Sequence, residues 1–427
     1  MSARAGEPRG NARREASVPA RFMDEGPILF TGATGFLGSH LAAELLRRGR
    51  TLDLLVRAAD PAHARERLRA LWDWHGLPDS ARTRARALVA DLRTPALGLP
   101  PGAGGWTELI HCASDTSFAE RRRERVTAVN VDGLARVLDL ARAGGCAAVH
   151  LVSTAYAAGR REGRIAEPED GADDALERTR FHNAYEESKA RAEALARARC
   201  SADGMRLVVY RPAIVCGHSR TGRTMRFNAL YYPIRMVLFL RDLRAKEAGA
   251  PGRARAGGGA DAPEEAQAAA RVHLPIRIPA AGQGGVNLIP VDHFVDAFLA
   301  IHDASGAAGV YHLVNPRPAP LADLIDYAQR RYRLCGITAL AEGAPLGPRN
   351  AYEVLFDHYL EAYGPYMRDR RVFSRERAIP LLAARTITCP PFDAAAFDRC
   401  MEYAERCGWR DFPAREAPRT QQEAARS

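Results

Sequence analysis

Apolar residues recur along this chain in two alternating rhythms. Ile28, Leu29 and Phe30 form a short unbroken run, the mark of a strand buried on both faces. Leu37, Leu41 and Leu45 then return at helical spacing, and Gly49 follows as a helix stop. Residues 52–56 are a second apolar run, and Leu68, Leu71 and Trp72 mark the inner face of a second helix. The runs at 88–90 and 109–110 predict further strands. Val126, Val129, Leu134, Val137 and Leu138 mark one strong helix, closed by Gly144 and Gly145. Residues 149–152, 207–209 and 310–314 complete the strands. Strand alternating with helix predicts an α/β fold: a Rossmann-type, doubly wound parallel sheet with helices on both faces. In such sheets ligands lie beyond the carboxyl ends of the strands.

The rhythm fails in two places. Residues 1–24 lack periodicity and are expected to be a disordered tail. Residues 241–271 are dominated by Ala, Gly, Arg and Glu, with Gly257, Gly258 and Gly259 in a row, and are expected to be a flexible insertion. The sheet domain is then expected over 25–215, completed by 286–315. Residues 216–285 carry the insertion and belong to a substrate lobe. Residues 316–427, with Tyr352, Phe356, Tyr359 and Tyr363, are expected to form a smaller, mostly helical C-terminal substrate lobe and tail.

A length of 427 residues suits two cores better than one. The longest apolar stretch, 230–240, is too short to span a bilayer and carries Arg235, so no transmembrane segment is expected. No signal peptide is visible either, which makes the cytoplasm the default. Eight cysteines lie scattered with no CxxC pair and no Cys/His cluster, against a metal site and against a secreted disulfide framework. The net charge is +10, yet no basic motif interleaved with aromatics suggests nucleic acid. Much of the excess reads as solvated faces, such as Arg121, Arg122 and Arg123. The remainder can attract an acidic partner or a phosphate-bearing substrate. Only two lysines, Lys189 and Lys246, stand against 59 arginines. A lysine kept in such a chain is one whose compact ammonium is needed.

Between the first strand and the first helix stands Thr31-Gly32-Ala33-Thr34-Gly35-Phe36-Leu37-Gly38. Glycines permit the tight turn and a close approach to a pyrophosphate, and the helix start offers free N–H groups and positive dipole. Gly32, Thr34, Gly35, Phe36, Leu37 and Gly38 are therefore candidate dinucleotide-binding residues, although the spacing is GxxGxxG rather than GxGxxG. Arg57 ends the second strand, where a carboxylate would take the ribose 2′-OH of NAD and an arginine suits the 2′-phosphate of NADP. NADPH is the expected cofactor. Asp91 and Leu92, after the third strand, are placed to border the adenine. Ala113, after the fourth, is placed to pass close to the cofactor.

Tyr185 and Lys189 stand four apart, which puts both on one face of a helix. An ammonium near a phenol favours the phenolate, so such a tyrosine can exchange a proton near neutral pH. Thr154 ends the fifth strand, where its hydroxyl can reach the same carbonyl oxygen, with Ser153 as the alternate. Together TGATGFLG, the Ser153-Thr154 strand end and YxxxK resemble the extended short-chain dehydrogenase/reductase superfamily. Val56-Arg57-Ala58, residues 211–217 (RPAIVCG), 219–222 (SRTG) and 287–292 (NLIPVD) are similar to its thioester reductase and fatty acyl-CoA reductase branch. The match runs from about Pro27 to Asn315; the C-terminal lobe resembles nothing specific.

The resemblance implies NADPH, catalysis by Thr154, Tyr185 and Lys189, and reduction of an acyl thioester to an aldehyde or alcohol. It also adds Pro212 and Ile214 to the cofactor's neighbours. Partners implied are an acyl thioester and an acidic acyl carrier protein, with peripheral membrane contact open for the 230–240 stretch. Three rivals stand beside this reading: a sugar-nucleotide epimerase or dehydratase, a ring-alcohol dehydrogenase, and a non-catalytic dinucleotide sensor.

Overall fold

The computed structural model describes residues 26–100, 102–168, 179–247, 271–280 and 285–412. The expected tail at 1–24 and most of the expected insertion, 248–270, lie outside these residues. The first half runs β1 (Ile28–Thr31), α1 (Phe36–Arg47), β2 (Leu52–Val56), α2 (Pro61–His75), α3 (Asp79–Arg82), β3 (Ala85–Val89), β4 (Glu108–His111), α4 (Arg123–Thr127), α5 (Gly133–Ala143), β5 (Ala148–Val152), β6 (Gly163–Ile165) and α6 (Ala184–Ala202). There follow β7 (Arg206–Pro212), β8 (Ile214–Cys216), α7 (Tyr231–Glu247), β9 (Val272–Pro279), β10 (Leu288–Pro290), α8 (Val291–His302) and β11 (Gly309–Leu313). The remaining elements are α9 (Leu321–Tyr332), β12 (Leu334–Leu340), α10 (Ala351–Leu360), α11 (Gly364–Met367), β13 (Arg371–Phe373), α12 (Ala378–Ala383) and α13 (Ala394–Arg406).

Seven strands form one parallel sheet in the order β11-β7-β5-β4-β1-β2-β3. The strand order reverses between β1 and β4, which opens the crevice where such sheets bind ligands. One face is covered by α1, α2, α8 and α12, around Phe30, Leu41, Leu45, Phe294 and Phe298. The other is covered by α5 and α6, around Leu29, Leu109, Leu134 and Val149. Each of these large side chains, taken wholly from water, stabilises the fold by about 1.5–3 kcal/mol. No described helix is long and apolar enough to cross a membrane.

The helix expected over 126–138 is interrupted. Its α-turns stop at Thr127, and Ala128–Asp132 form a π-helical turn before α5 resumes. Asn130 lies within this turn with its side chain fully engaged: Nδ2 donates to Asp115 O (2.9 Å) and Ser188 Oγ (2.8 Å), and Oδ1 accepts from Asp115 N (2.7 Å). Such bulges tend to occur at functional sites.

The second lobe departs from expectation in two ways. Residues 241–247, placed in the insertion, continue α7 as helix. The C-terminal part is helical but also supplies two strands, β12 paired in parallel with β9 and β13 paired with β6. Along β9, Leu274, Ile276 and Ile278 turn inward at period two and pack with α7 and α10. Ala378 and Leu382 of α12 return to the core of the large sheet, so the last hundred residues serve both lobes.

Candidate active site

The glycine turn is built by close backbone packing. Gly32 has φ +80°, and a Cβ there would stand 2.5 Å from the backbone N of Ala113. Gly38 lies against Gly32 itself: a Cβ would meet the Gly32 carbonyl oxygen at 2.2 Å. Gly35 caps α1 with extended backbone, and no side chain takes the first amides of the helix. Thr34, Phe36 and Leu37 are part-accessible beside it. This end of α1 is thus open to an anion, and a dinucleotide's pyrophosphate fits the donor set. Thr31 fixes the neighbouring strand end, bonding His111 Nδ1 at 2.9 Å and accepting from Ala113 N at 3.3 Å. Burial holds His111 near 3, hence neutral.

The other cofactor candidates lie along the same edge. Arg57 follows β2 and is exposed, with its carbonyl accepting from Arg67. Asp91 chelates Arg93 (Oδ2 to Nη2, 2.6 Å), and this pairing holds its carboxyl below the usual range. Leu92 packs on Gly133, and its carbonyl accepts from Arg136. Pro212 ends β7, with its carbonyl 3.5 Å from Thr154 Oγ1. Ile214 sits on β8 and lines the apolar pocket described below.

Thr154, Tyr185 and Lys189 meet at the carboxyl end of β5. Asn183 starts α6 by accepting from Glu186 N (3.0 Å). Tyr185 and Lys189 then occupy successive turns of the face laid against β5. Lys189 is 3% exposed and donates from Nζ to Val152 O at 2.6 Å. Burial lowers it to about 8, opposed by Glu193 and Cys112. The Tyr185 phenol behaves differently from the lowered acid expected of it. Burial pushes it up to about 12, Thr154's hydroxyl draws it down, and the Glu186 carboxylate raises it further. The ammonium is directed at Val152 rather than at the phenol, so burial prevails. Of the two candidate hydroxyls, Ser153 donates to Glu193, which leaves Thr154 facing Tyr185.

Of the opposite wall, Tyr363 is among the aromatics that mark the substrate lobe in the sequence, whereas Phe118 and Tyr366 carry no such signal. Phe118 lies 5.8 Å, centroid to centroid, from both Tyr185 and Tyr363, and 5.5 Å from Tyr366. Tyr366 donates to Glu186 Oε1 (2.8 Å) and accepts from Asn183 Nδ2 (2.8 Å), tying the second lobe to the start of α6. Tyr363 stacks on Tyr232 of α7 at 5.3 Å. Behind these rings lies an apolar pocket of about 90 Å³, lined by Ile234, Val237, Leu324, Ile337 and Phe356 among others. The stretch at 230–240, singled out by its apolar character, supplies one wall.

Among the described residues Glu108, His150 and His302 come close enough to hold a metal ion. The same carboxylate takes the Arg50 guanidinium at 3.2 Å and His302 Nε2 at 2.9 Å. His302 Nδ1 contacts Asp303 at 3.1 Å. Burial disfavours charge on His302, but its bonds to Asp303 and Glu108 raise it to about 9. We read an ion-pair network that pins α8 to the sheet.

The fold is that of an extended short-chain dehydrogenase/reductase, an oxidoreductase class with a nicotinamide dinucleotide cofactor. Residues 30–298 match the NAD-binding family described as male sterility protein, and the chain belongs to that family. It is 33% identical over 218 residues to the aldehyde reductase lnaA of Aspergillus flavus, a match covering 46% of this chain and 20% of that protein. The chain thus corresponds to about a fifth of that relative's length. The terminal R domain from the myxalamid PKS-NRPS biosynthetic pathway superposes with a TM-score of 0.67 at 23% identity, covering 91% of this chain and 92% of that one. A UDP-glucuronic acid 4-epimerase from Bacillus cereus in complex with NAD superposes with a TM-score of 0.57 at 14% identity, covering 89% and 99%. At these identities the superpositions speak for the fold alone.

Proposed function

We propose that this chain reduces an acyl thioester to an aldehyde, and by a second round to an alcohol, with NADPH as reductant. The observation that carries the reading is the join between two features. Thr154, Tyr185 and Lys189 stand at the switch-point end of the sheet, and Phe118 touches both Tyr185 and the Tyr363 and Tyr366 rings that line an apolar pocket. A sugar nucleotide has no use for such a lining; an acyl chain does.

When bound, NADPH supplies the hydride. Gly32, Thr34, Gly35, Phe36, Leu37 and Gly38 would cradle its pyrophosphate, and Arg57 its 2′-phosphate. Asp91, Leu92, Ala113, Pro212 and Ile214 would border the rest. Thr154 and Tyr185 hydrogen-bond the substrate carbonyl oxygen as negative charge grows on it, a preorganised arrangement worth several kcal/mol. A phenol held near 12 is a proton donor in that role. Lys189 would anchor the ribose hydroxyls, and its charge would favour the phenolate that Tyr185 becomes on giving up its proton. Collapse of the resulting hemithioacetal expels the thiol and leaves the aldehyde.

The name lnaA and the myxalamid R domain support a reductase. Exposed Arg121 and Arg122, just beyond Phe118, offer positive charge to coenzyme A phosphates or to an acidic carrier protein. The test is NADPH consumption with octanoyl-CoA and with an octanoyl carrier protein, beside NADH controls. Thioester-dependent oxidation of NADPH supports the reading. Activity confined to a sugar nucleotide or a ring alcohol overturns it.

A further inference from the structure

Tyr185, Lys189 and Glu193 follow one another on α6 at steps of four and so share one helix face. Lys189 and Glu193 are 3% and 2% exposed. An ammonium or a carboxylate so deeply placed is strongly disfavoured unless an opposite charge and hydrogen bonds compensate it. Glu193 is held by two side chains. Ser153 Oγ donates to Oε1, and Arg211 donates from Nε at 3.0 Å and from Nη2 at 2.5 Å. The carbonyl that takes Lys189 belongs to Val152, the residue before Ser153. Ser153 N also donates to Tyr210 O (2.7 Å), one residue before Arg211. One carboxylate therefore ties β5, β7 and α6 together directly beneath the lysine.

The groups facing Lys189 come from three elements. Glu193 stands on its own helix, Arg211 on β7, and His111 and Cys112 at the end of β4. Burial keeps His111 neutral near 3 and pushes the Cys112 thiol up to about 12. Neither is ionised near neutral pH, and Arg211 is directed at Glu193. Glu193 is the anion that remains.

We propose that Glu193 is a positioning residue whose buried carboxylate keeps the Lys189 side chain charged and seated on the Val152 carbonyl at the end of β5. The proposal rests on the reading of Lys189 given above. Burial alone pulls Lys189 down, and Glu193 opposes that fall.

The chain offers an unusually clean measurement, because it holds only two lysines, Lys189 and exposed Lys246. With 13Cε-labelled lysine the protein gives two signals, and Lys189→Arg assigns them. The Lys189 signal is expected to titrate near 8. In Glu193→Gln its midpoint should fall by about one unit or more, and the alkaline limb of kcat should move the same way. Glu193→Asp should restore much of the shift. Ser153→Ala, which keeps the carboxylate, should move the midpoint little. Because Glu193→Gln leaves Arg211 unpaired, and that cation itself disfavours a charged lysine, the double variant E193Q/R211Q repeats the test without a stranded charge and should show a smaller fall of the same sign. A Lys189 titration unmoved in both E193Q and E193Q/R211Q overturns the proposal, even where Lys189→Ala is inactive and the catalytic reading stands. A Lys189→Ala variant of normal turnover instead overturns that reading, and with it this role for Glu193.

Discussion

Gly38→Ala isolates the packing that places α1. An alanine Cβ at this position would lie 2.2 Å from the Gly32 carbonyl oxygen and 2.7 Å from its carbon, both backbone atoms with no freedom to turn aside. To reach an ordinary contact the start of α1 must move outward by about 1 Å, a strain in the range of overpacking, about 1–3 kcal/mol. The fold should survive with a Tm several degrees lower. The same displacement carries the first-turn amides away from the pyrophosphate. Losing two charge-assisted hydrogen bonds, at about 1.5–3 kcal/mol each, weakens NADPH binding by about a hundredfold or more. Gly35→Ala is the internal control for stability, since its Cβ meets only one oxygen, at 3.2 Å, and Gly35 has an ordinary φ of −90°. Its Tm should stay close to that of the parent protein. The measurements are thermal unfolding and NADPH titration by fluorescence. A Gly38→Ala protein that melts and binds NADPH like the parent would show that the turn does not depend on that contact.

Other expectations follow from separate parts of the molecule. Arg57→Ala should weaken NADPH by about tenfold or more, through loss of a charge-assisted bond, while NADH changes little; equal loss for both cofactors would remove the 2′-phosphate assignment. Tyr185→Phe should abolish most turnover and spare NADPH affinity, whereas Lys189→Ala should damage both, and near-normal turnover of the phenylalanine variant would place the proton donor elsewhere. His302, raised to about 9, contributes stability that is full below its unfolded value of about 6.5 and is lost as pH rises through 9. Unfolding free energy should therefore decline by up to about 3 kcal/mol between pH 6.5 and 9, and His302→Gln should flatten that slope; a parent protein equally stable across the window would contradict the ion-pair network.

The large sheet is legible in the sequence because its signals are local. Runs such as Ile28-Leu29-Phe30 and the glycine turn at 32–38 state strand, turn and helix within a dozen residues. Tyr185 and Lys189 are readable from spacing alone, since a helix converts a step of four into one face. The same rule reaches Glu193, one further step along and beyond the YxxxK pattern. Asn130 leaves a fainter trace, a single amide inside the apolar stripe between Val126 and Leu138. Nothing short-range announces its partners Asp115 and Ser188. The strands β9 and β12 escape a sequence reading because parallel pairing joins segments some sixty residues apart, and Pro275 and Pro279 obscure the alternation of Leu274, Ile276 and Ile278. Tyr363 stands out as a substrate-lobe aromatic, but its meeting with Phe118 and Tyr366 is unreadable for the same reason, being a product of tertiary packing. The acidity of Tyr185 departs from expectation because spacing reveals a nearby lysine but not its direction or the extent of burial.

The central claim is that the apolar pocket receives the acyl chain of a thioester whose carbonyl lies against Thr154 and Tyr185. It is tested most directly by kcat/KM with NADPH across acetyl-, octanoyl- and palmitoyl-thioesters. Each methylene that enters the pocket should contribute up to about 0.8 kcal/mol, a factor of about four per carbon, until the pocket is full. The value should rise steeply from acetyl to octanoyl and level off at greater length. A flat response across the series, or turnover of none of the three, would contradict it.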